Sequence, residues 1–206
     1  MPRNRTKPRD VNSIRSLAQL FGEWDHGLPA AVRKSFLVSA AGNINQAGEL
    51  GGTYADIFTP QEAQFAAALE PGVRPLVEAL TRAGFVTYTS CEGHRYEGAS
   101  SECHVGIVPR RVCELRYLLR ALRTCVARFN RRLLVCQVAV YPWYLYDKAS
   151  ARHVPVIDLY LHRRPRKDLY DYFEHRSEDA LSVAAFLHDT LSGAAAAPCD
   201  HVAPHD

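Results

Sequence analysis

Residues 86–108 gather several residue types that carry chemistry. This stretch, VTYTSCEGHRYEGASSECHVGIV, places a polar loop between two β-type runs. The loop and its borders hold two cysteines, Cys91 and Cys103, and two histidines, His94 and His104, together with acids such as Glu92. A hairpin needs only a short turn, so this concentration of thiols, imidazoles and carboxylates predicts a functional site.

One interpretation of the loop is a zinc site. Zinc takes about four N or S ligands in a tetrahedron, and the C-x-x-H spacing of Cys91 and His94 can supply two of them across a tight turn. Either Cys103 or His104 could supply a third, because neighbouring residues of a regular strand point to opposite faces. His162, at the end of a later strand, could supply a fourth. This interpretation gives Cys91, His94, Cys103 and His162 as the metal ligands.

Two further interpretations make the loop a catalytic site. In the first, Cys91 is a nucleophilic or redox-active thiol, with His94 near enough to lower its pKa and Glu92 able to orient a base. In the second, Glu92 and His94 are the general acid and base, since histidine titrates close to neutral pH. A plain turn beside a buried cysteine stays open as an alternative. The full catalytic set adds three residues of neighbouring strands: His104, Asp158 and His162.

The pattern of elements places these residues at one end of a sheet. Apolar periodicity predicts four strands and two long helices, with the strands over residues 85–90, 103–109, 133–141 and 154–162 and the helices over 110–130 and 168–191. The order is a helical segment followed by ββαββα, which predicts an α+β fold with a four-stranded, antiparallel-rich sheet and helices on one side. Following the strand directions, the loop, His162 and the arginines after it share one end. Asp158, Tyr160 and His162 share one face.

Arginines are the candidate phosphate-binding groups. They make up 21 of the 25 basic residues, although the net charge is only +3. Arginine's planar fork binds phosphate bidentately, so these residues predict a nucleic-acid or nucleotide partner. A solvated helix face is the simpler alternative. The candidates are Arg95, Arg163 and Arg164 near the loop, and Arg116, Arg120 and Arg123 as a stripe at i, i+4 and i+7 on the long helix. Four aromatic residues in a predicted loop could stack on bases: Tyr141, Trp143, Tyr144 and Tyr146.

The loop also resembles known proteins. Residues 89–94, TSCEGH, preceded by a predicted helix and strand, resemble the S-C-E-G-H loop of uncharacterised bacterial and phage proteins. More distantly, they are similar to the S-S-C-S-G-R loop of the tRNA wybutosine-synthesising methyltransferase family. That match holds at Ser90, Cys91 and Gly93 and departs at Glu92 and His94. The resemblance implies methyl transfer from S-adenosylmethionine to a modified guanosine of tRNA. The chain has no G-x-G-x-x-G loop.

The rest of the sequence limits the domain organisation and the class of protein that the chain can be. The length of 206 residues suits one ordinary domain. We predict a disordered basic tail over residues 1–10, a helical segment over 11–70, an α+β domain over 71–193 and a disordered tail over 194–206. No apolar run approaches the about 20 residues of a membrane span, and the beginning of the sequence lacks the apolar core of a signal peptide. We therefore expect a cytoplasmic protein with no membrane partner, whose cysteines are thiols or metal ligands rather than disulfides.

Two functions follow from these observations. The first is an enzyme with a Cys/Glu/His loop that acts on a phosphate-bearing substrate, RNA or a nucleotide, by a modification such as methyl transfer. Its candidate cofactors are S-adenosylmethionine and zinc. The second is a non-catalytic nucleic-acid-binding module in which the loop is a zinc or structural staple.

Overall fold

The computed structural model describes residues 13–27, 59–63, 65–96 and 99–192. Its helices are α1 (Leu17–His26), α2 (Phe65–Ala68), α3 (Arg74–Arg82), α4 (Val112–Phe129) and α5 (Leu169–Leu191). Its strands are β1 (Ser13–Ile14), β2 (Val86–Cys91), β3 (Arg95–Tyr96), β4 (Ala99–Ser100), β5 (Cys103–Val108), β6 (Cys136–Asp147) and β7 (Arg152–Arg163). The mixture of helix and strand confirms the α+β class.

The main sheet has five strands in the order β1-β6-β7-β5-β2. The four predicted strands pair antiparallel, whereas β1 lies parallel to β6, with Ser13 and Ile14 opposite Tyr146 and Asp147. The predicted four-stranded topology is therefore not matched. Residues 13–14, predicted as helix, are an edge strand, and α1 begins only after Ser16, whose Oγ accepts a hydrogen bond from the backbone N–H of Gln19 at 3.2 Å.

β6 is longer than its sequence pattern predicts. The predicted strand stops at Tyr141, before Pro142, but the observed strand continues to Asp147. Because β1 pairs with β6 only near Asp147, one edge of β6 is unpaired at Pro142 within the described residues. A proline, which lacks the N–H of other residues, is tolerated at such an edge.

Two apolar clusters cover the two faces of the sheet. The larger one packs α3, α4 and α5 against β5 and β7, and its fully buried side chains include Leu76, Leu80, Leu118, Leu122, Leu159, Leu161 and Leu187. Burial of each such leucine contributes about 1.5–3 kcal/mol. The smaller cluster packs α1 against Val108, Leu145 and Val156 on the opposite face. The prediction of helices on one side therefore holds for α3–α5 but not for α1.

Asp179 of α5 ties the helix layer to the start of β6. Its buried carboxylate accepts hydrogen bonds from the backbone N–H groups of Leu134, Val135 and Cys136 at 2.8, 2.9 and 2.8 Å. These three residues precede or begin β6, where the hydrogen bonds between strands do not yet engage every backbone N–H. Asp179 thereby fixes the end of β6 that pairs with Arg163 at the end of β7.

Within the described residues, the predicted helical segment over residues 11–70 contains two helices, α1 and α2. Thr59 and Glu62 form a capping contact, in which Glu62 Oε2 accepts from the Thr59 N–H at 3.0 Å. Turns follow, and the helix that forms, α2, has only four residues. Residues 28–58 of that segment and the two predicted tails lie outside the described residues. No helix in the described ranges combines the length and apolarity that a membrane crossing requires.

Candidate metal centre

The loop after β2 is held in a tight bend by its own backbone. Gly93 has a φ of +87°, which favours glycine, and it is buried. The Gly93 N–H points at Cys91 Sγ at 3.3 Å, and the His94 N–H donates to Ser101 Oγ at 2.7 Å. The bend therefore brings the thiol of Cys91 and the imidazole of His94 to one side of the loop.

Glu70, in the turn before α3, joins this pair. One of its carboxylate oxygens accepts from the Glu92 N–H at 2.7 Å, and the other lies 2.6 Å from His94 Nε2. The candidate ligand atoms of Glu70, Cys91 and His94 all lie within 4.8 Å of one another. In the described part of the chain, no other group of three or more such side chains could share an ion. We call these three residues the donor cluster.

Sequence reasoning missed Glu70 because it belongs to another element. Its only local signal is an acid followed by Pro71 and Gly72, a turn that precedes the predicted helix α3. The side chains of the donor cluster are partly buried, with 37% of the His94 side chain and 18% of the Glu70 side chain exposed. A ligand could therefore reach the cluster from solvent.

Glu92, a predicted catalytic residue, faces away from the donor cluster. Its carboxylate accepts from the Gly72 N–H at 2.7 Å and from Arg176 Nη2 at 3.2 Å. Gly72 allows this contact, since a Cβ there would lie 2.9 Å from Glu92 Oε2. The buried Arg176 also lies over the Phe173 ring, 4.7 Å from its centroid. Glu92 thus anchors the loop to α3 and α5.

The electrostatic surroundings of Cys91 disfavour a thiolate. Burial raises the pKa of the thiol above its ordinary value; the Gly93 N–H lowers this pKa, whereas the nearby carboxylate of Glu70 raises it further. A reactive cysteine needs the opposite arrangement, in which positive groups stabilise the thiolate. A metal cation bound beside the thiol would supply that positive charge.

Cys103 lies on the other face of the sheet from Cys91. Its thiol is fully buried among the helices, and burial raises its pKa strongly. Its backbone N–H donates to Tyr172 Oη at 3.0 Å. Cys103, Cys125, Cys136 and Cys91 are free thiols, as expected, whereas Cys113 is disulfide-bonded, which was not expected.

Two of the predicted histidines, His104 and His162, lie beside the donor cluster rather than in it. Cys91 pairs with His104 across β2 and β5, and His104 pairs with Tyr160 across β5 and β7, so the three side chains share one face. His162 is farther along the same face, where Nδ1 contacts Glu102 and Nε2 lies 3.0 Å from the hydroxyl of Tyr141. Both ring nitrogens of His162 are therefore occupied.

Asp158 lies deeper on this face and is buried. Its carboxylate accepts a hydrogen bond from Tyr88 Oη at 2.6 Å, and burial raises its pKa. Gly106 makes room for this pair, since a Cβ there would lie 2.5 Å from the Tyr88 ring. Asp158 is thus part of a buried hydrogen-bonded pair and does not reach the rim of the sheet.

The predicted phosphate-binding arginines separate into three groups. Arg95 and Arg163 are exposed at the end of the sheet that carries the loop. Arg164 has a structural role, because it donates to the carbonyl oxygens of Cys136 and Asn130 at 2.9 and 2.8 Å. The stripe on α4 borders a shallow groove on the helix-covered side, across the sheet from Cys91; its arginines are Arg116, Arg120 and Arg123.

The four aromatic residues predicted to lie in a loop are instead part of β6. Tyr141 and Tyr144 are exposed, Trp143 packs against the smaller apolar cluster, and the Tyr146 ring lies 5.2 Å from that of His153. A pocket of about 360 Å³ opens at the rim of the sheet. It is lined by Ser101, Glu102, His104, Tyr160, Arg163, Leu169 and Tyr172. Ser101, which contacts His94, connects this pocket to the donor cluster.

The chemistry open to the donor cluster follows from its atoms. A thiol, an imidazole and a carboxylate are the ligand types of zinc, and catalytic zinc sites take three protein ligands and keep a fourth position for water or substrate. The negative surroundings of the thiol favour a cation over a bare nucleophile. No protein-family model, curated protein or solved structure matches this chain.

Proposed function

We propose that the protein is a metal-dependent enzyme that acts on a phosphate-bearing substrate, RNA or a nucleotide. The observation that carries the proposal is the convergence of Glu70, Cys91 and His94 ligand atoms within 4.8 Å. Their mixed S, N and O character favours zinc over magnesium and calcium, which prefer oxygen ligands alone. An ion in the cluster would replace the hydrogen bond between Glu70 and His94.

Two features favour a catalytic over a purely structural ion. Structural zinc sites are closed by four protein ligands, whereas the described residues supply three. The cluster is also partly exposed and adjoins a pocket bordered by the cation of Arg163. A substrate phosphate at Arg163 would therefore lie on the same rim as the ion.

Metal analysis of the purified protein tests the donor cluster. We expect one tightly held zinc per chain by inductively coupled plasma mass spectrometry, and its loss in the variants Glu70→Gln and Cys91→Ser. His175 and Glu178 of α5 provide a matched control, because they form an exposed pair of the same residue types at 3.4 Å. His175→Gln and Glu178→Gln should leave the metal content unchanged. Full zinc retention in both cluster variants would overturn the assignment.

Chelation separates the enzyme from the alternative of a zinc staple. The specific observation favouring a staple is that the ion would connect two segments, residues 70–72 and 91–94, which already exchange hydrogen bonds. If the ion is catalytic, the chelated protein stays folded by circular dichroism and loses turnover of phosphate-bearing substrates. If it is a staple, the chelated protein loses its folded circular dichroism spectrum, as domains with structural zinc sites do.

The arginine stripe on α4 supports a second candidate activity, polyanion binding. It lines a groove with Leu119, Thr124 and Ala127 and faces away from the donor cluster. Binding of a DNA duplex measured against salt concentration tests it, because each phosphate contact makes the slope of log K against log salt steeper by about 0.9. Replacing the three arginines with glutamine should reduce the slope by about 3, and an unchanged slope would remove the candidate.

Methyl transfer, which the loop resemblance implies, is a separate proposal. It requires S-adenosylmethionine to bind the apo or zinc-loaded protein. Isothermal titration with S-adenosylmethionine and with S-adenosylhomocysteine tests it directly. Heat of binding that disappears in Ser90→Ala and Cys91→Ser would support methyl transfer, whereas no heat with either compound would exclude it.

A further inference from the structure

Three rings lie nearly parallel on the open face of the sheet. The centroids of His104 and Tyr160 are 5.0 Å apart with planes inclined by 20°, and those of Tyr160 and His162 are 5.1 Å apart with planes inclined by 12°. Tyr141 meets Tyr160 and His162 edge to face. The four side chains come from three neighbouring strands, so the sheet itself sets their spacing. We call these four residues the ring wall.

The ring wall is held rigidly by polar contacts around it. His104 Nδ1 contacts the Glu102 carbonyl at 3.1 Å, and His162 is held between the Glu102 carboxylate and the Tyr141 hydroxyl. Glu102 also accepts from the Arg163 N–H at 3.1 Å. Rings fixed in this way lose little conformational freedom when a flat ligand stacks on them, which favours binding.

The ring wall is only partly covered by the described residues. His104, Tyr160 and His162 are half-buried, and 49% of Tyr141 is exposed. Farther along the same face, α1 covers the apolar side chains, including Val108 and Val156. The fold therefore covers the aliphatic part of this face and leaves the aromatic part accessible.

Positive charge borders the ring wall on one side. His104 and Tyr160 line the rim pocket together with Arg163, which is exposed and begins the basic segment 163–167, RRPRK. Flat aromatic side chains next to guanidinium groups suit one ligand class, in which a planar ring is joined to an anionic phosphate. Nucleobases stack on aromatic side chains and nucleotide phosphates bind arginine.

We infer that the ring wall stacks an unpaired nucleobase on the face of His104 that Tyr160 does not cover, and that Arg163 binds the phosphate of the same nucleotide. The inference rests on the proposed function and names the substrate class more narrowly, as an unpaired nucleotide, free or in a single strand. His104 lies directly across from Cys91 on the adjacent strand. Strands are about 4.8 Å apart, so a base stacked near His104 would hold the rest of the nucleotide beside the donor cluster.

Calorimetry with three small probes tests the ring wall: adenosine 5′-monophosphate, ribose 5-phosphate and inorganic phosphate. The base should strengthen binding about 10-fold or more relative to ribose 5-phosphate, as base–aromatic stacking does elsewhere. His104→Leu should remove that gain and leave the zinc content unchanged, whereas His104→Phe should keep it. His153→Leu is the matched control, since His153 is an exposed histidine of β7 outside the ring wall.

A second measurement distinguishes a free nucleotide from a nucleotide in a single strand. Fluorescence anisotropy with six-residue ribo- and deoxyriboadenylates shows whether a strand binds more tightly than the mononucleotide; either order supports the ring wall and names its ligand. Equal affinity for adenosine monophosphate and ribose 5-phosphate in the wild-type protein would overturn the inference, even if His104→Leu failed to fold. If Glu70→Gln loses zinc while the wild-type protein shows no preference for the base, the ring-wall inference is wrong and the metal proposal still stands.

Discussion

Replacing Gly93 with alanine should damage the loop that carries Cys91 and His94. The φ of +87° at this position lies in the left-handed region, where a non-glycine residue costs about 1–2 kcal/mol. The new Cβ would also lie 2.9 Å from the Ser101 carbonyl oxygen and 3.0 Å from the Cys103 nitrogen. Both neighbours are backbone atoms that cannot rotate away, so overpacking adds about 1–3 kcal/mol. We expect Gly93→Ala to lower the free energy of unfolding by about 2–5 kcal/mol.

Gly22→Ala is the matched control for this substitution. Gly22 lies inside α1, and a Cβ there would have no heavy atom within 4 Å. Alanine is favoured over glycine in a helix interior by about 0.8–1 kcal/mol, so this variant should be more stable than the wild type. Both changes restrict the unfolded chain equally, and the opposite signs therefore report on the folded state alone.

Urea denaturation followed by circular dichroism measures both variants. The midpoint of Gly93→Ala should fall, that of Gly22→Ala should rise, and the m value should stay constant if the folded states remain compact. Zinc content should fall with the first variant because the bend positions two of the three ligands. A Gly93→Ala protein within 0.5 kcal/mol of the wild type would refute the argument that this bend is sterically fixed, since such a small change is typical of an unconstrained surface site.

Three other predictions concern buried charge and protons. Asp179→Ala should lower the unfolding free energy by about 3–5 kcal/mol in the same urea assay, because three backbone N–H groups lose their acceptor; a loss below 1 kcal/mol would contradict it. Burial raises the Asp158 pKa in the folded state, so the protonated carboxyl favours folding below the unfolded pKa and this contribution disappears as pH rises through the folded pKa. The melting temperature of Asp158→Asn should therefore rise relative to that of the wild type as pH increases from 4, because only the wild type loses this contribution. A difference between the two melting temperatures that does not change with pH would refute this. Zinc affinity should rise about tenfold per pH unit near neutrality, because the raised pKa of Cys91 means that binding expels the thiol proton; a zinc affinity that does not change with pH in competition titrations with a chelator would contradict this.

The second half of the fold could be predicted because its elements are long and regular. The periodic apolar residues of α4 place it within two residues of its observed ends, and α5 begins after Asp168, whose side chain accepts from the Asp171 N–H. β1 could not be predicted in this way, since two residues have no periodicity. Its position depends on the unpaired edge of β6, which in turn required the strand to pass through Pro142.

The candidate site could be predicted only where its residues are close in sequence. The spacing of Cys91 and His94 indicated a shared ligand position, and both residues contribute to the donor cluster. Glu70 is separated from them by α3, and only the packing of that helix against β2 and α5 brings it to the loop. Glu92 lies between the two ligands in sequence, yet its side chain contacts Arg176 of α5, a long-range contact that no local spacing indicates.

Glu92 and Glu70 have different roles in the loop, and together these roles couple metal binding to folding. Glu92 holds the loop to Gly72 and Arg176, whereas Glu70 completes the donor cluster while also accepting the Glu92 N–H. Since the three donors meet only when α3 has packed against β2, the unfolded chain has no preformed cluster. Zinc at 100 times its dissociation constant should therefore stabilise the folded chain by about 2.7 kcal/mol. Glu92→Gln keeps all three donors but weakens the anchor, so it should bind zinc more weakly than wild type without losing the site, as thermal shift with added zinc would show. Zinc binding equal to wild type would mean that the cluster does not depend on this anchor.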